Sequence, residues 1–137
     1  MFRTILIPVD LTDRNRPAVE MAAKLSAPQG KIHLLHVIET IPGLSVEDEP
    51  EFYGRLEKRA AGHLASLSAP LRDKANDFEA DVIYGPRAKS ILDEAERIGA
   101  DLVVIQSHRV GGEGREGLGT LSHQVGLFAH CPVLLVR

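Results

Sequence analysis

Short apolar runs alternate along this chain with longer stretches in which apolar residues recur every three or four positions. The runs predict strands at 5–9, 32–38, 102–105 and 133–136, and we interpret the uninterrupted runs 5–9 and 102–105 as buried strands. An uninterrupted run is typical of a strand that is buried on both faces of a parallel sheet. Residues 78–84 alternate between apolar and polar side chains instead, which indicates a strand at the edge of the sheet.

The stretches between these strands predict helices. Thr12 or Asp13 can cap the first helix, Pro17 suits its first turn, and Pro28 and Gly30 stop it. Apolar side chains also recur at helical spacing in three later stretches between the strands, which predicts three further helices.

The second helix covers 52–71, although Pro70 is expected to end it early, and the third covers 88–98 and ends at Gly99. The inward face of the last helix is marked by three apolar side chains, which are Leu121, Val125 and Phe128.

The resulting order, βαβαβαβαβ, predicts an α/β fold with one parallel sheet and helices on both of its faces. We interpret residues 1–137 as a single domain, because a chain of 137 residues leaves little room for a second. Ligands of such sheets bind beyond the carboxyl ends of the strands, where the direction of winding reverses. The candidate site is therefore formed by Asp10, 38–39, 106–109 and the loop that leads into the last helix.

Composition narrows the possible partners. The chain carries 16 Lys and Arg against 19 Asp and Glu, a net charge of −3, which argues against a general affinity for nucleic acid or an anionic membrane. Cys131 is the single cysteine, so no disulfide can form within the chain. The sequence has neither the pattern of a signal peptide nor an apolar stretch of membrane-spanning length, and we expect a soluble cytoplasmic protein.

A glycine-rich loop precedes the last helix. Its segment 112–117 matches G-x-G-x-x-G, but it lies in the last βα unit with no acidic residue at the proper distance behind it, so we reject a dinucleotide site. What remains is Gly119-Thr120, because free N–H groups at a helix start bind anions, with Arg109 and Arg115 to add positive charge. The alternative is that Thr120 only caps the helix.

The other polar candidates have structural alternatives. Asp10 could accept hydrogen bonds from a ligand or could simply shape a turn. His33 and His36 are three apart on a strand, so they face opposite ways, and His123 and His130 have no carboxylate partner nearby in the sequence. We therefore predict no metal site. Ser107 and His108 are adjacent without a nucleophile elbow, so no hydrolase is expected either.

Several segments together resemble the universal stress protein family over essentially the whole chain. They are Ile5-Leu6-Ile7-Pro8-Val9-Asp10, His36-Val37, Gly99-Ala100-Asp101-Leu102-Val103-Val104-Ile105, Ser107-His108-Arg109 with Gly119-Thr120 downstream, and Cys131-Pro132-Val133-Leu134-Leu135-Val136. The resemblance implies a five-stranded, Rossmann-like sheet of the adenine nucleotide alpha hydrolase type, in strand order 3-2-1-4-5. It also implies a homodimer, paired through Val133–Val136.

Many members of that family bind ATP or AMP where strands 1 and 4 part. The resemblance implies that Asp10 lies near the ribose and adenine, that the Val37 backbone lies near the adenine, and that a loop of pattern Gly-x-x-Gly-x9-Gly-Ser/Thr holds the phosphates. In this chain Gln106 and Arg109 replace the first two of those glycines, whereas Gly119-Thr120 is retained. The further glycines between them could restore the phosphate cradle.

The leading hypothesis is a dimeric stress-response or regulatory protein that binds ATP or AMP and is not an enzyme. Mg²⁺ could bind together with the nucleotide. The residues predicted to contact the nucleotide are Pro8, Val9, Asp10, Val37, Gln106, Ser107, His108, Arg109, Gly119, Thr120 and Leu121. The alternative is a nucleotide-free dimerisation module in which Gln106 and Arg109 fill the pocket.

Overall fold

The computed structural model describes residues 1–72, 77–107 and 120–137. Its five strands are β1 (Phe2–Pro8), β2 (Ser26–Ile38), β3 (Asp77–Tyr84), β4 (Leu102–Gln106) and β5 (Val133–Val136). They form one parallel sheet in the order β3-β2-β1-β4-β5, which confirms the predicted architecture. The apolar β1 lies at the centre and the alternating β3 at an edge, as their patterns predict.

Four helices connect the strands. They are α1 (Arg16–Leu25), α2 (Pro50–Ser68), α3 (Arg87–Ile98) and α4 (Thr120–Phe128). Short 3₁₀ turns precede α1 at Asp13–Asn15 and follow α2 at Ala69–Leu71. No helix in the described part of the chain has the length and apolar character needed to cross a membrane.

The sheet separates two cores. On one face α1 and α2 cover Ile5 and Ile7 of β1, and on the other face α3 and α4 cover Leu6 of the same strand. The pattern follows from the pleat of a strand, because successive side chains point to opposite faces. β1 is therefore buried from both sides, which explains its uninterrupted apolar run.

The predicted ends of the helices are mostly found in place. The Thr12 side chain accepts from the Arg14 N–H and so caps the turn before α1. Gly99 ends α3 in the left-handed conformation with φ 66°, and its N–H donates to the last carbonyls of that helix. A side chain at this φ is sterically disfavoured, and glycine avoids the cost. α2 ends at Ser68, two residues before Pro70, as expected.

Pro28 and Gly30 do not separate α1 from the next strand. α1 already ends at Leu25, and β2 runs through both residues, so their interpretation as helix stops is wrong. The β1–β2 register jumps between the pairs Phe2–Ser26 and Thr4–Lys31, so the extra residues of β2 form a bulge. A bulge tolerates proline because no ladder hydrogen bond is needed from its nitrogen.

The inward face predicted for α4 needs one correction. Val125 is buried and Leu121 packs on the core beside α3, but Phe128 is 71% exposed. α4 ends at Phe128, and this last position lies beyond the part of the helix that packs against the sheet.

Candidate functional site

The direction of winding reverses between β1 and β4, at the carboxyl edge of the sheet. The connection after β1 leads to α1 on one face, whereas the one after β4 leads to α4 on the other. Pro8 pairs with Leu35 of β2, and the Val9 N–H donates to the Leu35 carbonyl at 2.8 Å. The first two candidate residues, Pro8 and Val9, therefore lie at the end of the central strand.

Asp10 follows directly and has a defined turn structure. Its Oδ1 accepts from the Thr12 N–H at 3.0 Å, from Thr12 Oγ1 at 2.5 Å and from Asn15 Nδ2 at 2.7 Å. Asp10 is also exposed. The turn-shaping role given as its alternative is thus present in the structure, and it fixes the orientation of the carboxylate.

Asn15 is a residue that the sequence analysis missed. It is buried, and its Nδ2 also donates to the carbonyl oxygens of Asp10 and Thr12, each at 2.9 Å. One amide group therefore closes the loop between β1 and α1. The signal in the sequence was an asparagine five residues after an aspartate at a strand end, which is weak by itself.

Two histidines attach the same loop to neighbouring elements. His36 Nδ1 lies 2.8 Å from the Val9 carbonyl oxygen, and His63 Nε2 of α2 lies 2.8 Å from the Thr12 carbonyl oxygen. Because a carbonyl oxygen can only accept, the ring nitrogen donates in each pair. The loop is thus held from β2 and from α2.

Val37 lies on the opposite face from His36, in the core formed with α3 and α4. The loop that follows β2 is anchored by the buried Tyr53 of α2. The Tyr53 hydroxyl accepts from the Ile41 N–H at 3.1 Å and donates to the Leu44 carbonyl. These bonds hold the loop beside the end of β2, next to the predicted position of the adenine.

Tyr84 is the last residue of β3 and lies beside Tyr53. Its ring meets the Tyr53 ring edge-on at 5.8 Å, and its hydroxyl donates to Glu57. Burial, and then the hydrogen bond to the Glu57 carboxylate, raise the pKa of Tyr84 to about 12. The hydroxyl therefore stays protonated at any physiological pH.

Gln106, at the end of β4, uses both ends of its side-chain amide. Its Oε1 accepts from the Ala18 N–H in the first turn of α1 at 2.9 Å, and its Nε2 donates to the Val136 carbonyl at 3.1 Å. The Ser107 N–H donates to the same carbonyl at 2.6 Å. Gln106 thus satisfies a free N–H of α1 and joins it to the end of β5.

The remaining candidates lie on the loop into α4. His108, Arg109 and Gly119 lie outside the described residues, as do Arg115 and the glycines 111–117. Thr120 begins α4, and Leu121 is half-buried behind it. The hypothesis that Gln106 and Arg109 together fill the pocket therefore stays a prediction, although the described contacts of Gln106 lead to α1 and β5.

Cys131 and the other possible metal ligands lie apart from this edge. Burial, and then the Asp101 carboxylate, raise the pKa of the half-buried Cys131 thiol, which favours its protonated form. Elsewhere in the described part of the chain, His33, Glu79 and Asp81 come within metal-binding distance of one another. The sequence analysis did not associate these three residues.

Comparison with known proteins gives consistent results over the whole length. A family model described as "Universal stress protein family" matches residues 1–137. A universal stress protein from Thermus aquaticus is 33% identical over 145 residues, with both chains covered completely. Universal stress protein G of Escherichia coli O157:H7 is 32% identical over 143 residues, again with complete coverage of both chains.

Solved structures share the fold. Hypothetical protein MJ0577 superposes with a TM-score of 0.84 at 25% identity, over 99% of this chain and 96% of its own. A universal stress protein in complex with cAMP gives 0.73 at 18% identity, covering 99% and 97%. An Arabidopsis thaliana family member with AMP bound gives 0.68 at 23% identity, covering 97% and 90%.

Proposed function

Since this chain belongs to the universal stress protein family, we propose that it binds an adenine nucleotide, ATP or AMP, at the edge where β1 and β4 part. Two proteins of the same fold are complexes with adenine nucleotides, one with cAMP and one with AMP. The proposed role is that of a regulatory binding protein in the cytoplasm and not that of an enzyme.

The proposal rests on the Asp10 carboxylate, which hydrogen bonds hold in one orientation. Thr12 and Asn15 fix its orientation, while the residue itself is exposed at the point where the winding reverses. A ribose offers two hydroxyl donors, and a carboxylate that is already oriented binds them without further loss of side-chain freedom.

The other candidates take the roles that the family resemblance implies for them. Pro8 and Val9 form the wall beneath the nucleoside, and the Val37 backbone meets the adenine. Ser107, His108 and Arg109 would lie near the phosphates. Gly119, Thr120 and Leu121 supply N–H groups at the start of α4, where the helix dipole favours an anion. Mg²⁺ would accompany the phosphates of ATP.

Gln106 has a positioning role in this proposal. Its amide is engaged by Ala18 and Val136, so it holds α1 and β5 against the end of β4 and does not occupy the nucleotide pocket. The replacement of the first family glycine by glutamine is then compatible with binding.

A homodimer that pairs through β5 completes the proposed function. β5 is an edge strand, and Leu135 on it and Leu127 and Phe128 on the preceding helix are exposed. Pairing of two such edges would satisfy the open backbone groups and cover apolar side chains. Nucleotide binding would then favour one arrangement of the loop or of the dimer, which partner proteins recognise.

The direct test is thermal unfolding of the full chain with ATP, ADP and AMP, each with and without Mg²⁺. A ligand at a hundredfold excess over its Kd that binds only the folded protein adds about 2.7 kcal/mol of stability, which raises Tm by several degrees. We expect a saturable rise, and an Asp10→Asn variant should need at least tenfold more nucleotide to reach it.

Asp13→Asn is the matched control, because Asp13 is an exposed carboxylate three residues away in the turn before α1. It should respond to nucleotide like the wild-type chain. If no nucleotide raises Tm and a calorimetric titration is also flat, the binding proposal fails and the nucleotide-free dimer takes its place.

A further inference from the structure

A second group of polar side chains lies on the α3 face of the sheet, away from the edge just described. His33 of β2 is paired with Glu79 of β3, and Leu35 is paired with Asp81. Because paired residues of parallel strands point to the same face, His33, Glu79 and Asp81 lie side by side. His33 and Glu79 also border a cavity of about 420 Å³ near the beginning of β1 and the end of α3.

His33 is the unusual member of this cluster. Only 1% of the residue is exposed, yet neither ring nitrogen makes a hydrogen bond. Nonetheless, Asp81 Oδ2 lies 2.9 Å from Nε2 and Glu79 Oε2 lies 3.5 Å from Nδ1. The distances are short, so it is the alignment of these pairs that does not suit a hydrogen bond. A buried imidazole whose nitrogens make no well-aligned hydrogen bond is costly, which favours a further partner.

A metal ion on Nε2 accounts for the short contact with Asp81, because one ion can bind only one nitrogen of an imidazole ring. In a coordination shell with bonds of about 2.0–2.1 Å, adjacent ligand atoms lie about 3 Å apart, and the ion lies between them. The lone pair of the nitrogen then points at the ion and not at the neighbouring oxygen. One ligand atom from each of the three residues lies within 4.8 Å of the other two, which is close to such a shell.

We propose that His33, Glu79 and Asp81 bind a divalent transition-metal ion, with Zn²⁺ as the best match, and that water completes the coordination. One imidazole and two carboxylates form a borderline nitrogen and oxygen donor set that suits Zn²⁺ better than Ca²⁺ or Mg²⁺. The imidazole is held rigidly by burial. The carboxylate side chains are 53% and 49% exposed, so they can rotate onto the ion.

Two of the cations that border the cavity, Lys31 and Arg97, each have a carboxylate partner. Lys31 Nζ lies 3.2 Å from Glu79 Oε1, which leaves Oε2 facing the imidazole. Arg97, at the end of α3, is engaged by Glu94, with Nε 2.6 Å from Oε1. Lys31, which does not itself bind the ion, holds the Glu79 carboxylate in the orientation that the ion needs.

The test is calorimetric titration of Zn²⁺ into the full chain, freed of metal by a chelator and without nucleotide. We expect one saturable site per chain. Asp81→Asn and Glu79→Gln should each weaken it at least tenfold, because an amide is a poor ligand for Zn²⁺. Glu96→Gln is the control, since it makes the same change on an exposed residue of α3, and it should bind like wild type.

Two results would overturn the proposal. One is the absence of saturable binding, in which case the packing of the imidazole between two carboxylates is all that the short distances show. The other is binding that neither variant weakens, which would place the ion on other histidines or on Cys131. Both carboxylates are half exposed, so the variants should fold, as circular dichroism would verify. Since no nucleotide is present, neither result depends on the proposed function.

Discussion

A single buried amide determines the shape of the loop that leaves the central strand. Asn15 donates to the Asp10 carboxylate and to the carbonyl oxygens of Asp10 and Thr12. All of these partners are acceptors, so the position requires a donor. Neither the hydrophobic pattern nor the helix-start signals distinguish asparagine from aspartate at this place, because both residues are common before a helix.

Replacing Asn15 by Asp should therefore lower the free energy of unfolding by about 2 kcal/mol or more, because a buried carboxylate would face three oxygen atoms without a proton to share. Urea unfolding at pH 7 measures the change. Acidification should recover part of the loss, since the protonated carboxyl can donate one hydrogen bond. An unchanged urea midpoint would show that the amide does not hold the loop.

At the scale of elements, the apolar runs and the alternation at 78–84 predicted the five strands of the described part of the chain, and helical spacing predicted its four α-helices. The start of β2 escaped prediction because Pro28 and Gly30 are ordinarily strand breakers, whereas here they occupy a bulge that the partner strand accommodates. In that bulge Gln29 adopts φ 65°, and a Cβ on Gly30 would lie 2.8 Å from the Ala27 oxygen and 3.2 Å from the Phe2 oxygen.

The bulge gives a prediction for Gly30→Ala. The added methyl group would press on two backbone oxygens that cannot easily move, and we expect a loss of about 1–3 kcal/mol in urea unfolding. Gly62→Ala in α2 is the matched control, because its Cβ would meet open space in a helix and should stabilise by about 0.5–1 kcal/mol. Equal effects of the two substitutions would contradict the tight packing at the bulge.

Side-chain partners were less accessible to sequence analysis than the elements were. The position of Asp10 followed from the rule that sites lie at strand ends, but Gln106 binds Ala18, which is 88 residues away. The association of His33 with Glu79 likewise depends on the register between β2 and β3, which apolar runs do not specify. Local patterns determine which face a residue occupies, whereas its neighbours depend on how distant strands align.

At the scale of the whole molecule, the two edges of the sheet differ. β3 forms one edge, is covered on one face by α2, and carries Glu79, which is paired with Lys31. The short β5 forms the opposite edge. Charged side chains protect an edge from further pairing, and β5 has none within Val133–Val136. The asymmetry favours β5 as the edge that meets a second copy.

We accordingly predict that the chain is a dimer in solution and that Leu135→Lys makes it a monomer, because a charge placed in the paired edge would be buried without a partner. Size-exclusion chromatography with light scattering distinguishes a dimer from the monomer of 14.9 kDa. Met21→Lys, an exposed apolar residue of α1, should leave the dimer intact. A wild-type chain that remains monomeric at every concentration would refute the pairing through β5.

The strand order also has a consequence for how the molecule is made on the ribosome. Of the five strands of this sheet, β1 is synthesised before the others, but one of its two neighbours, β4, begins only at Leu102. A nascent chain that has formed β1, β2 and β3 therefore carries an open strand edge and an apolar face that still lacks α3 and α4. This incomplete sheet can associate with other nascent chains through its open edge, and its apolar face is the kind of surface that a chaperone recognises. The central strand is the first to be made and among the last to be enclosed.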